Sequence, residues 1–260
     1  MILIYSKDRA MQLHALLYSL GNKENIYVLY KTEKYWYQYK QLFKEFPNVT
    51  FICEVDLVRD TIHLLSSSEY VLFLTDDTII RRDFNLSKVF RHIRNNNMVL
   101  GFSLRMGKNI THSHITNEPL KQPRFQESKE LSYTHWDWGS GERCWGYPLT
   151  VDATAYRSMN ILYLLSDCSN GDPGLIEAHM AARKHKMDHH PTMMCFKESV
   201  AFCTPVNIVR DNTPCPYART YLYTIEYLAK MFDEGKRIDI SVLPDITSAH
   251  QEIQFNWSTL

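Results

Sequence analysis

A short apolar run, Ile2 to Tyr5, opens the chain, and Met11, Leu13, Leu16, Leu17 and Leu20 then gather on one side of a helix that Gly21-Asn22 ends. The same order recurs three times. Strands are predicted at 26–30 (IYVLY), 49–53 (VTFIC) and 70–74 (YVLFL), and helices at 33–46, 57–65 and 85–93, leading to a further apolar run at 98–104. Strands alternating with helices of this length imply βαβ units and a mainly parallel sheet. Right-handed crossovers then make it an open, doubly wound α/β sheet flanked by helices.

The pattern breaks after Leu104. Residues 105–146 are polar and weakly periodic, and they are rich in turn formers; a stretch of this length inside a compact fold tends to be functional. Tyr133, His135, Trp136, Trp138 and Trp145 cluster near its end, which favours exposed rings. Helical patterns return at 157–166, at 169–186 and at 217–235, before irregular chain leads to 250–257. In the second of these, Asp172 reads as the N-cap and Pro173 as the first helical residue. We divide the chain into a first half, 1–104, and a second half, 105–260, within one domain.

Composition narrows the function. With 29 basic and 29 acidic residues among 260, the chain lacks the basic excess that nucleic-acid or membrane-surface binding requires. Six scattered cysteines without a CxxC pair read as free thiols in a reducing compartment. The four apolar residues before Ser6 are too few for a signal peptide, and no window has the roughly 18 apolar residues of a membrane span. The expected location is cytoplasmic.

The chemistry concentrates at Asp76 and Asp77, which close the fourth apolar run. Ligands of open α/β sheets sit beyond the carboxyl ends of the strands. Two adjacent carboxylates there repel one another unless a cation offsets them, and Mg²⁺ or Mn²⁺ shared with a diphosphate would do so.

FLTDD (73–77), after three βα units, resembles the DxD-type metal motif of GT-A fold, nucleotide-sugar-dependent glycosyltransferases, the family 2-like group in particular. Thr75 stands where the first aspartate of that motif would be. IYSKDRAMQLHALLYSL resembles the opening strand and helix of such enzymes, and VDLVRDTIHLLSSSEYVLFLTDD the helix that precedes their metal strand. The resemblance spans 1–104, and more loosely 145–186. It implies a GT-A-like fold with a long acceptor-side loop and a helical C-terminal segment. The implied activity is metal-dependent, inverting transfer of a sugar, in polysaccharide biosynthesis, from a nucleotide-diphosphate sugar (a UDP-sugar first) to a glycan or lipid-linked acceptor. By the same resemblance Asp77 would bind the metal and Asp76 the ribose or a metal-bound water. Ser6, Asp8 and Arg9 would lie by base and ribose, with Arg59 facing the phosphates. Asp152 would contact a sugar hydroxyl, and His250 would complete the metal shell.

An inverting transferase needs a general base on the face opposite the leaving group. Glu177 is the first candidate and Asp172 the second, since Asp172 already has a capping role. Trp136, Trp138 and Trp145 are the candidate acceptor platform. As a zinc site His179, His185, His189 and His190 are weakly supported: His179 and His185 are six apart, and His185 and His189 have the spacing of two ligands on one helix face but no matched cysteine pair accompanies them. Two rival classes stay open: a nucleotidyltransferase, which would want a glycine-rich first loop where SKDRAMQ has no glycine, and a non-catalytic carbohydrate-binding protein on the same sheet.

Overall fold

The computed structural model describes residues 1–127, 132–169, 171–209 and 222–259. Nine strands form one sheet in the order β3-β2-β1-β4-β11-β6-β12-β10-β9. They are β1 (Ile2–Lys7), β2 (Ile26–Lys31), β3 (Thr50–Cys53), β4 (Tyr70–Thr75), β6 (Val99–Ser103), β9 (Gln126–Glu127), β10 (Tyr133–Asp137), β11 (Thr154–Arg157) and β12 (Thr192–Phe196). The first four are parallel. β1 and β4 lie inside the sheet, so both faces are covered and their sequences are apolar without alternation; Ile2, Leu3, Ile4 and Val71 to Leu74 are fully buried. Helices α1 (Ala10–Leu20), α2 (Trp36–Glu45) and α3 (Leu57–Leu65) make the crossovers, and α4 (Leu86–Asn95) leads into β6.

α3 starts where a pair of carboxylates satisfies its exposed donors. Asp56 accepts from the Arg59 N–H at 3.0 Å, and Asp60 reaches back to the N–H groups of Val55 and Asp56. Asn85 caps α4 in the same way.

One strand breaks the parallel run. β11 is antiparallel to both β4 and β6 and sits between them. Thr154 pairs with Phe73 on one side and with Ser103 on the other. Continuing that register brings Asp152 level with Thr75 and with Arg105, all at the carboxyl ends of β4 and β6. Ala153, at φ 47°, makes the turn into β11 in the left-handed region, which costs a residue with a Cβ about 1–2 kcal/mol.

The second half departs from its expected outline in three places. The stretch 105–146 contributes β9 and β10 to the main sheet and the small hairpin of β7 (His112–Ser113) and β8 (Glu118–Pro119). Helix α5 (Ser158–Leu165) agrees with expectation, whereas α6 (Pro173–Ala182) ends early, in a one-turn 3-10 helix at 184–187. The helix expected at 217–235 is α7 (Ile225–Asp233), because Thr224 accepts from the Tyr227 N–H and fixes the start there; residues 217–221 of that expectation lie outside the described residues. After α7 the chain forms β14 (Lys236–Asp239) paired with β15 (Asn256–Thr259), so the C-terminal segment is less helical than the sequence implied. β5 (Thr78–Ile80) pairs with β13 (Ala201–Cys203). No helix among the described residues is long and apolar enough to cross a membrane.

Candidate active site

A cleft of about 360 Å³ opens at the carboxyl edge of β1 and β4 and is closed on its far side by the start of α6. Its lining carries Glu54, Asp76, Asp77, Asp152, Asp172 and Glu177 against Lys7, Arg9 and Lys31, six carboxylates to three permanent cations. An edge of that balance repels a diphosphate unless a cation accompanies it.

The aspartate doublet splits its two side chains between neighbours. Asp76, buried, accepts from the Lys7 N–H at 3.1 Å, while its own N–H donates to Tyr5 O, so it ties the end of β4 to β1. Arg9 Nη1 stands 3.1 Å from Asp76 and 3.5 Å from Asp77. The guanidinium is itself held by Asn207, through Nε on the side-chain oxygen at 2.8 Å and Nη2 on the backbone carbonyl. Arg9, which also lines the cleft, therefore supplies a countercharge to the doublet where the sequence reading had placed a metal. Burial, with the Asp77 charge adding to it and Arg9 opposing, pushes Asp76 up to about 6.

Asp77 turns the other way. Thr75 Oγ1 lies 2.7 Å from Asp77 Oδ1 and 3.2 Å from Asp152 Oδ1, gathering both carboxylates around one hydroxyl. His250 arrives through strand pairing: Cys203, at the end of β13, bridges to His250, with the Cys203 N–H on Ala249 O and the Gln251 N–H on Cys203 O. His250 Nε2 is 3.0 Å from Asp152 Oδ2, and Arg105 Nη1 is 3.2 Å from its Nδ1. Burial and the Arg105 charge lower His250, against the Asp152 and Asp77 charges, which raise it. The tautomer satisfying both contacts donates from Nε2 to Asp152 and accepts at Nδ1. Burial alone would raise Asp152, but the His250 hydrogen bond and the nearby Arg105 bring it down to about 2.

Ligand-type atoms of Asp152, Cys203 and His250 lie within 4.8 Å of one another. The Cys203 thiol is pushed well above its usual range by burial and by Asp152 and Asp77, so it stays protonated. As donors, the Asp77 and Asp152 carboxylates suit a hard divalent ion. His250 suits it less: a cation on Nε2 would force the ring proton onto Nδ1, facing a guanidinium.

Glu177 lies across the cleft. α6 begins at Asp172, whose carboxylate accepts from the Leu175 N–H at 2.9 Å with Pro173 as first helical residue, so Asp172 caps the helix as its sequence position implied. Glu177, one turn further on, accepts from the Val151 N–H at 2.7 Å and from the Thr150 hydroxyl. No guanidinium or ammonium pairs with it among the contacts described. Burial, then the charge of Asp152, raises it to about 7.

Other expected residues lie elsewhere. Ser6 lines the cleft with its hydroxyl on Tyr39, 2.6 Å away. Asp8, at φ 55°, turns its carboxylate to the Thr32 hydroxyl. Arg59 is exposed on α3 and does not line the cleft. Trp136, Trp138 and Trp145 are 1%, 5% and 0% exposed, so they form core rather than an open sugar platform. The reason is local: Trp136 Nε1 donates to Trp145 O at 2.9 Å and Trp138 Nε1 to His190 O at 2.7 Å, which lets both indoles be buried without losing a hydrogen bond. Sequence reasoning missed Arg105, Thr150 and Asn207. Only the strand register reveals the first, and the other two carried no pattern.

No family model matches the chain. It is 28% identical over 184 residues to the bifunctional glycosyltransferase pgtA of Dictyostelium discoideum, in an alignment covering 62% of this chain and 24% of that one. The chain is similar to a glycosyltransferase. It spans about a quarter of that relative's length. Among solved structures, S. aureus TarS superposes with a TM-score of 0.48 at 13% identity, covering 78% of this chain and 36% of that one. A 4-diphosphocytidyl-2C-methyl-D-erythritol synthase gives 0.38 at 12% identity, covering 71% and 84%. The corresponding synthase of Anaerococcus prevotii gives 0.37 at 10%, covering 76% and 88%. The architecture accordingly stands on the strand order itself, an open α/β sheet flanked by helices, as expected from sequence.

Proposed function

We propose that the protein is a metal-dependent, inverting glycosyltransferase that moves a sugar from a nucleotide-diphosphate sugar, a UDP-sugar first, to a glycan or lipid-linked acceptor. The observation that carries this reading is the placement of Glu177, raised to about 7 by burial and the Asp152 charge against the opposing Arg105 charge, across one cleft from the Asp76–Asp77 edge. The similarity to a glycosyltransferase supports it.

In this reading Asp77 and Asp152 hold a Mn²⁺ or Mg²⁺ ion, which when bound supplies Lewis-acid neutralisation of the leaving diphosphate. Arg9 and Lys7 flank the phosphates, and Asp76 fixes both by its bonds to them. Glu177 takes the proton of the acceptor hydroxyl while the new oxygen–carbon bond forms at the anomeric centre and the bond to the diphosphate breaks. Thr150 and Val151 hold the carboxylate so that one oxygen is engaged by the protein.

The test is a product assay with a panel of nucleotide sugars and Mn²⁺. Release of a nucleoside diphosphate that depends on the metal and is lost in Glu177→Gln supports transfer. Release of inorganic pyrophosphate from a nucleoside triphosphate would instead identify a nucleotidyltransferase. Nucleotide binding with no turnover under any condition would leave a binding protein.

A further inference from the structure

A second chamber of about 380 Å³ lies behind the wall formed by Arg105 and His250. Its walls include Arg143, His112, His114, Ile115 and Tyr147. No carboxylate occurs among the described residues that line it, whereas six line the neighbouring cleft. From this contrast we infer that the chamber is the acceptor subsite, and that it takes an acceptor carrying an anionic group, a carboxylate or a phosphate, on its sugar. The inference deepens the glycosyltransferase reading and rests on it.

Three observations carry the argument. The chamber is adjacent to the reacting edge, because His250 lines both spaces and the strand register puts Arg105 level with Asp152. It approaches the base along the chain: Tyr147 is a wall residue, and Thr150, three residues further on, donates its hydroxyl to Glu177. An acceptor seated there presents a hydroxyl past Tyr147 towards Glu177. Finally, its outer rim carries Arg143, which is paired with Glu118. Arg143, at φ 53°, donates to Thr116 and lies 2.8 Å from Glu118, clipping the β7–β8 hairpin over the opening. That ion pair is about half exposed on both sides, so water and an incoming anion compete for the guanidinium. A volume of this order holds a sugar unit, with the Tyr147 ring and Ile115 supplying apolar contact.

The experiment titrates the intact protein with methyl glucuronide, glucose 6-phosphate and methyl glucoside, with and without UDP and Mn²⁺, and reads binding by saturation-transfer NMR. At least one anionic sugar is expected to bind about tenfold more tightly than the neutral one. The carboxylate and phosphate arms identify which group is read. Arg143→Gln is expected to reduce that preference to about threefold or less, and Arg143→Lys to restore most of it. Melting temperatures of both variants separate a lost charge from a loosened hairpin, since Arg143→Lys perturbs the clip but keeps the charge. Equal binding of the three sugars to the unmodified protein, or a preference indifferent to Arg143→Gln, overturns the inference. A missing thermal shift in the unmodified protein with every nucleoside diphosphate of the panel plus Mn²⁺ defeats the glycosyltransferase reading alone, because sugar binding is also measured without nucleotide.

Discussion

The two ends of the cleft treat buried carboxylates in opposite ways. At one end Asp76 and Asp77 share a guanidinium, and Asn207 holds that guanidinium in turn. At the other, Glu177 has only a hydroxyl and an amide to accept from, with the negative charge of Asp152 nearby. At the compensated end the Arg9 charge offsets part of the burial that raises Asp76. An uncompensated acid hovers between charged and neutral, as a proton acceptor working near neutral pH must. One sheet edge thus offers charge binding and proton transfer in separate places.

The largest expected effect comes from removing the uncompensated acid. Glu177→Gln keeps an oxygen for Thr150 and Val151 but cannot take a proton, and turnover should fall by about 10²- to 10⁴-fold with nucleotide affinity little changed. The same substitution should raise the melting temperature at pH 8. The sign follows from linkage. Glu177 titrates from its ordinary 4.5 in the unfolded chain to about 7 in the folded one, so the folded state binds the proton more tightly and stability falls as pH rises between those values. The gain from Glu177→Gln should therefore vanish near pH 4. In the unmodified protein, turnover should rise with pH through a limb near 7; a flat profile from pH 5.5 to 8.5 would break the contrast between the two ends.

Next in size is Asp77→Asn, which should cost about 10-fold or more in Mn²⁺-dependent nucleotide binding, measured by thermal shift. His250→Asn should cost markedly less, because its Nε2 already serves Asp152. Equal losses would restore the histidine to the metal shell.

Arg9→Ala should destabilise by up to about 3 kcal/mol at pH 8, since it strands the buried Asp76 charge. The loss should shrink at pH 5, where Asp76 protonates. A loss independent of pH would show that Arg9 acts through packing and not through the doublet. The smallest effect belongs to Trp138→Phe, which leaves the His190 carbonyl without its donor and costs about 1–3 kcal/mol of stability, with no change in acceptor KM.

Much of the first half was readable from the chain because β1 and β4 are buried on both faces and so are apolar without interruption. Asp76, Asp77 and Glu177 were readable because strand ends and helix starts carry local signals. The sequence could not show which acid meets which cation. Arg9 reaches Asp76 across 67 residues and Asn207 across 198, and neither distance leaves a periodic trace. The tryptophans misled for a related reason: a polar neighbourhood suggested exposure, but the Trp145 and His190 carbonyls accept the N–H groups of Trp136 and Trp138 inside the core. Arg105 became visible only with β11, whose antiparallel direction no pattern in 147–157 revealed.

That reversed strand has a consequence for how the molecule could be altered. The Leu104 N–H donates to Ala153 O at 2.8 Å, so the chain leaves the donor edge and returns to it at the same spot, some fifty residues later. Everything between is an excursion with a closed neck, and closing a longer or shorter loop there changes the entropy only slowly with length. The interval ends in Thr150, Val151 and Asp152, so a transplant that keeps these three could alter the rest of it without unseating Glu177 or removing the carboxylate beside Thr75.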